Sequence, residues 1–455
     1  MATPSTMTVE MSVLADKQLP IEKGADDADG EVQGHRLGEN GDAEPHAAMA
    51  LERWNYPRTN LYRIGATFFC FLVLGANDAA YGALIPYLER YYDISYIIVS
   101  LVFLSPFVGY VLSASLINLI HIKLGQRGIA MLCGGCHLAA YIIIACHPPY
   151  PVLVTAFVLA GFANGLADAA WNAWVGSLTR ANEVMGFLHA CYGTGGVVAP
   201  LVATTMITRA NLQWYMFYYV MIGLAAAELA ICTWAFWPQT AAVYRQSISH
   251  SAQGHAEGSS MKTALAVAPY ARITWICATF LLGYVGVEVS LGGWIVQFML
   301  RVRNAAPFDA GMTSVGFWLG LTCGRIVLGF VTPRIGLGFA TIGYLVLTMA
   351  LELVFWLVPQ FYVSAVAVAL QGFFLGPIFP TVIVAATQLL PRHLHVSAIG
   401  FAAALGSSGA AVLPFAVGAI AQAKGVQVLQ PIVLALLVVL LGLWLCLPKL
   451  EKRKD

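Results

Sequence analysis

The sequence predicts an all-α membrane protein of twelve transmembrane helices, arranged as two pseudo-symmetric bundles of six. Three observations predict it. Of 455 residues, 59% are hydrophobic and only 10% are charged, and mean hydropathy is +0.74; a soluble domain carries about 25% charged residues. Beyond residue 60 the chain is a succession of apolar runs, each near the ~20 residues that cross a bilayer. These runs divide six and six around a single long hydrophilic gap.

The elements follow in order. Residues 1–52 are acidic, rich in Gly, Ala and Asp, and without periodicity, which predicts a disordered cytoplasmic tail. They lack the apolar core of a secretory signal. The first bundle, residues 53–237, holds segments at 61–88, 96–120, 128–146, 151–177, 184–207 and 214–237. Residues 238–271, with their Gln, Ser, His and Gly, have the composition of a flexible linker. The second bundle, residues 272–447, holds segments at 272–300, 310–331, 338–358, 361–389, 395–422 and 428–447. Residues 448–455 form a short basic tail.

The two bundles repeat. Leu159-Ala-Gly161-Phe162 in the fourth segment matches Leu370-Gln-Gly372-Phe373 in the tenth, and Gly165 matches Gly376. Gly195 and Pro200 in the fifth match Gly409 and Pro414 in the eleventh. Lys123-Leu-Gly125 after the second matches Arg334-Ile-Gly336 after the eighth, and Asp78 and Gly82 in the first match Glu288 and Gly292 in the seventh. Four matches in one order imply duplication, an architecture that places a transport site between the halves near the midplane. Orientation follows from the basic residues. With both termini cytoplasmic, Lys and Arg number 15 inside and 5 outside.

On these residues the chain resembles the major facilitator superfamily over about 60–447. The loop Lys123-Leu-Gly125-Gln-Arg127 and the Gly/Pro-rich fifth segment carry the resemblance. Gly75-Ala-Asn77-Asp78, Leu188-His189-Ala-Cys-Tyr192-Gly193, Val287-Glu288-Val-Ser-Leu-Gly292-Gly293-Trp294 and Gly324-Arg325 resemble, more narrowly, the fucose-permease-like branch and fungal bypass-of-stop-codon-type transporters. Two departures stand out. Ile122 occupies the place of the acid usual three residues before the loop glycine. Ala199, not Gly, precedes Pro200, so the antiporter pattern is not met.

Chemistry centres on intramembrane acids, which are costly unless they face protein or a hydrated cavity. Asp168 shares one helical face with Asn164 and Asn172, since the three recur every four residues. The repeat counterparts of Asp168 and Asn164 are Phe379 and Leu375, so the duplicated scaffold does not need these polar groups. This predicts Asp168 as the preferred proton-coupling acid. The alternative is a buried acid bonded to a neighbouring helix. Asp78 and Glu288 are further proton-coupling candidates, although their equivalence in the two halves equally suits anchors of a shared scaffold. The resemblance implies that the first and seventh helices face the cavity. Substrate-binding candidates are Asn77, Tyr81, Asn164, Asn172, Trp171, His189 and Trp294, with Trp318 a further ring that could stack on a solute. His189 equally suits an interfacial hydrogen-bonded residue. Arg325, deep in the eighth segment, must find a carboxylate or carbonyls and is expected in a structural ion pair, with Glu288 or Glu352. The resemblance implies peripheral places for Glu228 and Glu352.

The expected function is transport of a small organic solute, sugar-like or a metabolite, coupled to protons by alternating access. An uncoupled or export carrier for a secondary metabolite, and a non-transporting sensor on the same scaffold, remain open. A net charge of +1 gives no basic field for nucleic acid. No H-E-x-x-H, P-loop or G-x-S-x-G stands in a suitable context, which argues against an enzyme. The Cys133-x-x-Cys136 pair lies in an apolar run without partner ligands, so neither a metal nor a cofactor is expected. The partners are then the solute, protons and the bilayer, with the monomer as the working unit and the plasma membrane as the default location.

Overall fold

The computed structural model describes residues 52–251, 257–391 and 394–448. The acidic stretch 1–51 lies outside the described residues, as do Arg392, Lys449, Lys452, Arg453 and Lys454 of the charge count. Helices dominate because backbone amides and carbonyls in hydrocarbon must be satisfied within their own segment. The first half comprises α1 (Thr59–Tyr92), α2 (Tyr96–Val99), α3 (Leu101–Ala145), α4 (Tyr150–Gly176), α5 (Ala181–Thr208) and α6 (Phe217–Ala235). Two short helices follow, α7 (Ala241–Ser251) and α8 (Glu257–Ala266). The second half comprises α9 (Tyr270–Arg301), α10 (Pro307–Ile335), α11 (Leu337–Leu357), α12 (Phe361–Leu375), α13 (Ile378–Leu389), α14 (His395–Lys424) and α15 (Leu429–Leu445).

Eleven helical spans are long and apolar enough to cross a membrane among the described residues. The longest, Tyr96–Ala145, has 50 residues and would run about 75 Å if straight, far beyond one bilayer core. It breaks at Gly125, whose φ of 71° and ψ of −173° reverse the chain. Two crossings therefore meet at that glycine, giving twelve. Gly336, its repeat partner between α10 and α11, also has a positive φ, 102°. Helices α12 and α13 form one crossing, interrupted at Gly376 and Pro377.

The repeat is also visible in the packing. An added Cβ on Gly109 would strike the Val158 carbonyl, and one on Gly320 would strike the Ala369 carbonyl. Gly161 lies against the Pro106 carbonyl and Gly372 against that of Phe317. All four pairs of equivalent positions are 211 residues apart. Gly195 on the Leu72 carbonyl and Gly409 on the Leu282 carbonyl repeat a second contact. These positions are small because two helix backbones touch there.

The segment between the halves differs from its expected irregularity. Residues 252–256 lie outside the described part, but α7 and α8 occupy much of the remainder. Ala241, Ala242, Gln246 and Arg245 are compatible with helix, and α7 gains a docking surface on the bend of α3. There the Arg245 guanidinium donates to the Ile122 carbonyl at 3.3 Å, and the His121 ring stacks on Tyr244 at 4.7 Å. The Arg127 amide donates to the Gln239 carbonyl at 3.0 Å. Ahead of α1, the chain is pinned to the α4–α5 loop by Thr179 N–H donating to the Glu52 carbonyl at 2.8 Å.

Candidate functional site

Helix direction defines two ends of the bundle. The near end carries the starts of α1, α5, α9 and α14; the far end carries their finishes. Contacts between the halves gather at the far end. Gly82 of α1 meets the backbone of Gly292 and Gly293 in α9, and Gly293 meets the Phe103 ring of α3. Gly311 of α10 lies on Thr204 of α5, and Gly418 of α14 lies on Ser100 and Trp294. Polar contacts close the rim. Gln297 and Arg301 of α9 both donate to Glu89 of α1, the Arg301 contact at 3.3 Å. The Tyr96 amide donates to Gln422 at 2.8 Å.

Away from this seal the facing helices carry polar side chains that keep exposed surface. Asp78 on α1, Tyr110 on α3, Asp168 and Asn172 on α4, His189 and Tyr192 on α5, and Thr322 and Arg325 on α10 are each half-buried. One continuous apolar core joins the second half to the far part of the first, whereas α1, the middle of α3, α4, α5 and α6 form a separate apolar core at the near end. The arrangement is a crevice between the halves, closed at the far end and opening toward the near end.

The wall in the first half is built on a hydrogen-bond chain. Asp78 Oδ1 accepts from Asn77 Nδ2 at 3.0 Å and from Asn164 Nδ2 at 2.8 Å. Asp78 Oδ2 accepts from the Tyr192 hydroxyl at 3.0 Å. Behind Asn164 the chain passes out of reach of the crevice. Asn164 Oδ1 faces His137 Nε2 at 2.8 Å, and His137 Nδ1 faces Glu228 Oε2 at 2.8 Å. The Cys70 thiol donates to Glu228 Oε1 at 3.0 Å. His137, Glu228 and Asn164 are wholly buried. Farther toward the near end, Asn172 Nδ2 donates to Asp168 Oδ1 at 2.7 Å. Asn164, Asp168 and Asn172 thus form a stripe running down α4 from the buried chain into the open part of the crevice. Among the described residues neither Asp78 nor Asp168 belongs to an ion pair.

The opposite wall holds a compensated pair. Arg325 Nη2 of α10 donates to Glu288 Oε1 and Oε2 at 3.0 and 3.2 Å. The Tyr284 ring beside them donates its hydroxyl to the Leu375 carbonyl at 2.9 Å. Of the two partners considered for Arg325, the structure brings it to Glu288. Glu352 instead accepts from Gln371 Nε2 at 2.5 Å within the second half.

Several predicted binding residues do not line the crevice. Trp171 is fully buried and stacks on Phe236 at 4.4 Å, filling the apolar core behind the wall. Trp294 is fully buried in the far seal, and its Nε1 donates to the Pro414 carbonyl at 2.9 Å. Trp318 is packed under Gly196 and Gly292 in the same seal. Tyr81 packs edge-on against Phe103 and Phe157, and its hydroxyl accepts from Asn77 at 2.8 Å. Asn77 and Asn164 are buried and reach the crevice only through Asp78. His189 and Asn172 keep exposed surface there. Glu228 is not at the periphery, because its carboxyl points inward to His137. His137 and Tyr192 were not among the candidates. A lone His in an apolar run carries no signal of its partner, and Tyr192 was seen only as part of the Gly-rich motif. No group of three or more His, Cys, Asp or Glu suited to a metal occurs among the described residues.

The buried pair gives a stability prediction. His137→Ala leaves Glu228 buried with one partner fewer, which costs about 3–5 kcal/mol. The expected result is a lowered thermal-unfolding midpoint in detergent, whereas Cys136→Ala, on the same helix but outside the chain of bonds, should stay near the wild type.

Comparison with known proteins gives the following. The model of the Major Facilitator Superfamily matches residues 67–337. Bypass of stop codon protein 6 of Saccharomyces cerevisiae is 29% identical over 425 residues, spanning 88% of this chain and 85% of that protein. A glucose/galactose transporter of Brucella abortus is 25% identical over 390 residues, spanning 80% and 89%. Among solved structures, a D-xylose-proton symporter superposes with a TM-score of 0.69 at 12% identity, covering 85% of this chain and 98% of that one. A bacterial homolog of the human lysosomal transporter Spinster superposes with a TM-score of 0.63 at 11% identity, covering 85% and 96%. These two likenesses are of fold.

Proposed function

The chain belongs to the Major Facilitator Superfamily, and we propose that it is a proton-coupled transporter of a small polyhydroxylated solute, a hexose or pentose, that works by alternating access. The observation that carries this reading is the uncompensated pair of crevice acids, Asp78 and Asp168. They lie on the first half one helical turn apart: Asn164, which donates to Asp78, precedes Asp168 by four residues on α4. The second half presents an acid already paired with Arg325. Two carboxylates on one low-dielectric wall repel, and a single proton taken up there removes one charge. A wall carrying one charge costs less to close over than a wall carrying two. A state that alternates access only when loaded follows from that difference.

The solute class is argued from the wall chemistry and from relatives. Carboxyl oxygens, the Asn172 amide and the Tyr192 and Thr322 hydroxyls together offer acceptors and donors suited to several hydroxyl groups. Similar proteins include a glucose/galactose transporter and a D-xylose-proton symporter. In the proposed cycle the halves, 53–237 and 272–447, rock against each other, so that the near end closes as the far-end glycine contacts part. The near end faces the cytoplasm, following the bias of Lys and Arg.

The test is uptake of labelled D-glucose, D-galactose and D-xylose into proteoliposomes, with and without an inwardly directed proton gradient. Accumulation above the outside concentration is expected only with the gradient, and Asp168→Asn should lower it by up to about tenfold at a one-unit gradient. Uptake indifferent to the gradient, with Asp168→Asn fully active, would remove the proton coupling. The rim contact gives a further expectation. Glu89→Gln loses the charge facing Arg301, which is worth about 1 kcal/mol or less for so exposed a pair. The open far end should then be populated up to about fivefold more, read as faster labelling of a cysteine placed at Ser100, which is buried in the closed seal. Unchanged labelling would show that the apolar seal alone holds the rim.

A further inference from the structure

We propose that the Tyr192 hydroxyl is a switch that joins the proton on Asp78 to solute binding, donating to the carboxylate when the acid is empty and turning its hydrogen into the crevice when the acid is loaded. The inference rests on the proton-coupled reading above and deepens it.

The argument is one of hydrogen-bond direction. His137 faces Glu228 on one nitrogen and Asn164 on the other. Asn164 turns its Nδ2 to Asp78, so its Oδ1 must face His137, and only an N–H at His137 Nε2 satisfies that oxygen. With its hydrogen on Nε2, His137 holds the Asn164 amide as the structure has it, with its donor on Asp78 Oδ1. Asn77 Nδ2 also donates to Oδ1. Two N–H groups aimed at Oδ1 leave no acceptor for a proton carried there. Oδ2 has one partner, the Tyr192 hydroxyl, which can donate or accept. A proton arriving from crevice water therefore bonds to Oδ2 and points at the Tyr192 oxygen. Tyr192 keeps its own hydrogen, which turns out of the Asp78 contact.

The surroundings give that hydrogen somewhere to go. Tyr192 is half-buried and keeps exposed surface. It sits where the two walls meet: the next residue, Gly193, lies on Thr322 of α10, three residues before Arg325 on the same helix. The titratable groups around Asp78 are Tyr81 on its own helix, Tyr110, His137 and Tyr141 from α3, Asp168 from α4 and Tyr192 from α5. Of these, Tyr192 alone both bonds to Oδ2 and keeps surface in the crevice. A solute oxygen placed between the walls gains this donor only when Asp78 is loaded, so solute and proton bind with positive coupling, and the coupling is reciprocal.

The experiment is infrared difference spectroscopy of the purified full-length protein across a pH titration, with ring-labelled tyrosine to mark the phenol C–O stretch. Asp78→Asn assigns the carboxyl band and Tyr192→Phe assigns the phenol band. The expected result is a Tyr192 band that shifts from the donor to the acceptor position in step with the appearance of the protonated Asp78 band, and that stays still in Asp78→Asn. This requires that the wild type, Asp78→Asn and Tyr192→Phe fold. A protonated Asp78 band with an unmoved tyrosine band overturns the switch while leaving Asp78 as the proton carrier. Absence of any protonated Asp78 band over the pH range in which the protein stays folded overturns the carrier role as well.

Discussion

Asp78→Asn is expected to abolish gradient-driven accumulation while leaving solute exchange intact. One proton carried per solute lets a one-unit pH gradient support about tenfold accumulation, since one unit is worth 1.36 kcal/mol. The variant should accumulate about onefold. Asparagine keeps the size of the side chain, and its oxygen can still accept from Asn77 and Asn164, so the α1–α4 contact survives. What it loses is the atom that takes the proton. The sign follows directly: acid outside drives inward accumulation in the wild type, acid inside opposes it, and the variant ignores both. Entrance counterflow, which needs no gradient, separates a lost proton from a broken protein. If accumulation persists in Asp78→Asn and disappears only in Asp168→Asn, the load is carried at the lower acid alone, and the Tyr192 switch goes with Asp78.

Gly82→Ala should hold the far end open. The added methyl meets the Gly292 carbonyl and the Gly293 backbone, which cannot turn aside as a side chain would. Overpacking of this kind costs about 1–3 kcal/mol, enough to shift the balance of the two states by about tenfold or more, because 1.4 kcal/mol is a factor of ten. Spin labels on the exposed loop residues Asn211 and Asn304, on opposite halves at the far end, should report a longer separation in the variant. Gly343→Ala is the control, because nothing lies within 4 Å of its added Cβ. An unchanged separation in Gly82→Ala would mean that this glycine contact is not what brings the halves together.

Much of the architecture was legible in the sequence because it depends on length and repetition. Apolar runs of bilayer length gave the crossings, and recurring glycines marked where helices touch; Gly109 and Gly320, at equivalent places, meet equivalent carbonyls. The long helix through Gly125 also follows from length, since no single crossing can hold 50 residues. The site was only partly legible. Periodicity placed Asn164, Asp168 and Asn172 on one face, and they do share it, but it could not give the rotation of α4 against its neighbours. That rotation buries Asn164 against Asp78 while leaving Asp168 partly open. The same limit explains Trp171 and Trp294: a large ring near a polar residue fits equally a solute contact and a core, and packing sent both inward. His137 and Glu228 are 91 residues apart in the chain, and nothing local to either announces the other. The helices between the halves went unseen because their polar composition reads as irregular until the bend of α3 supplies a surface to dock on.

The most direct test of the central claim is a pH electrode in a weakly buffered suspension of proteoliposomes. D-glucose, D-galactose and D-xylose are each added outside, with no gradient imposed. The account predicts alkalinisation of the medium as solute and proton enter together, absent from Asp78→Asn. Solute entry with no pH change, or an equal change in the variant, would contradict it.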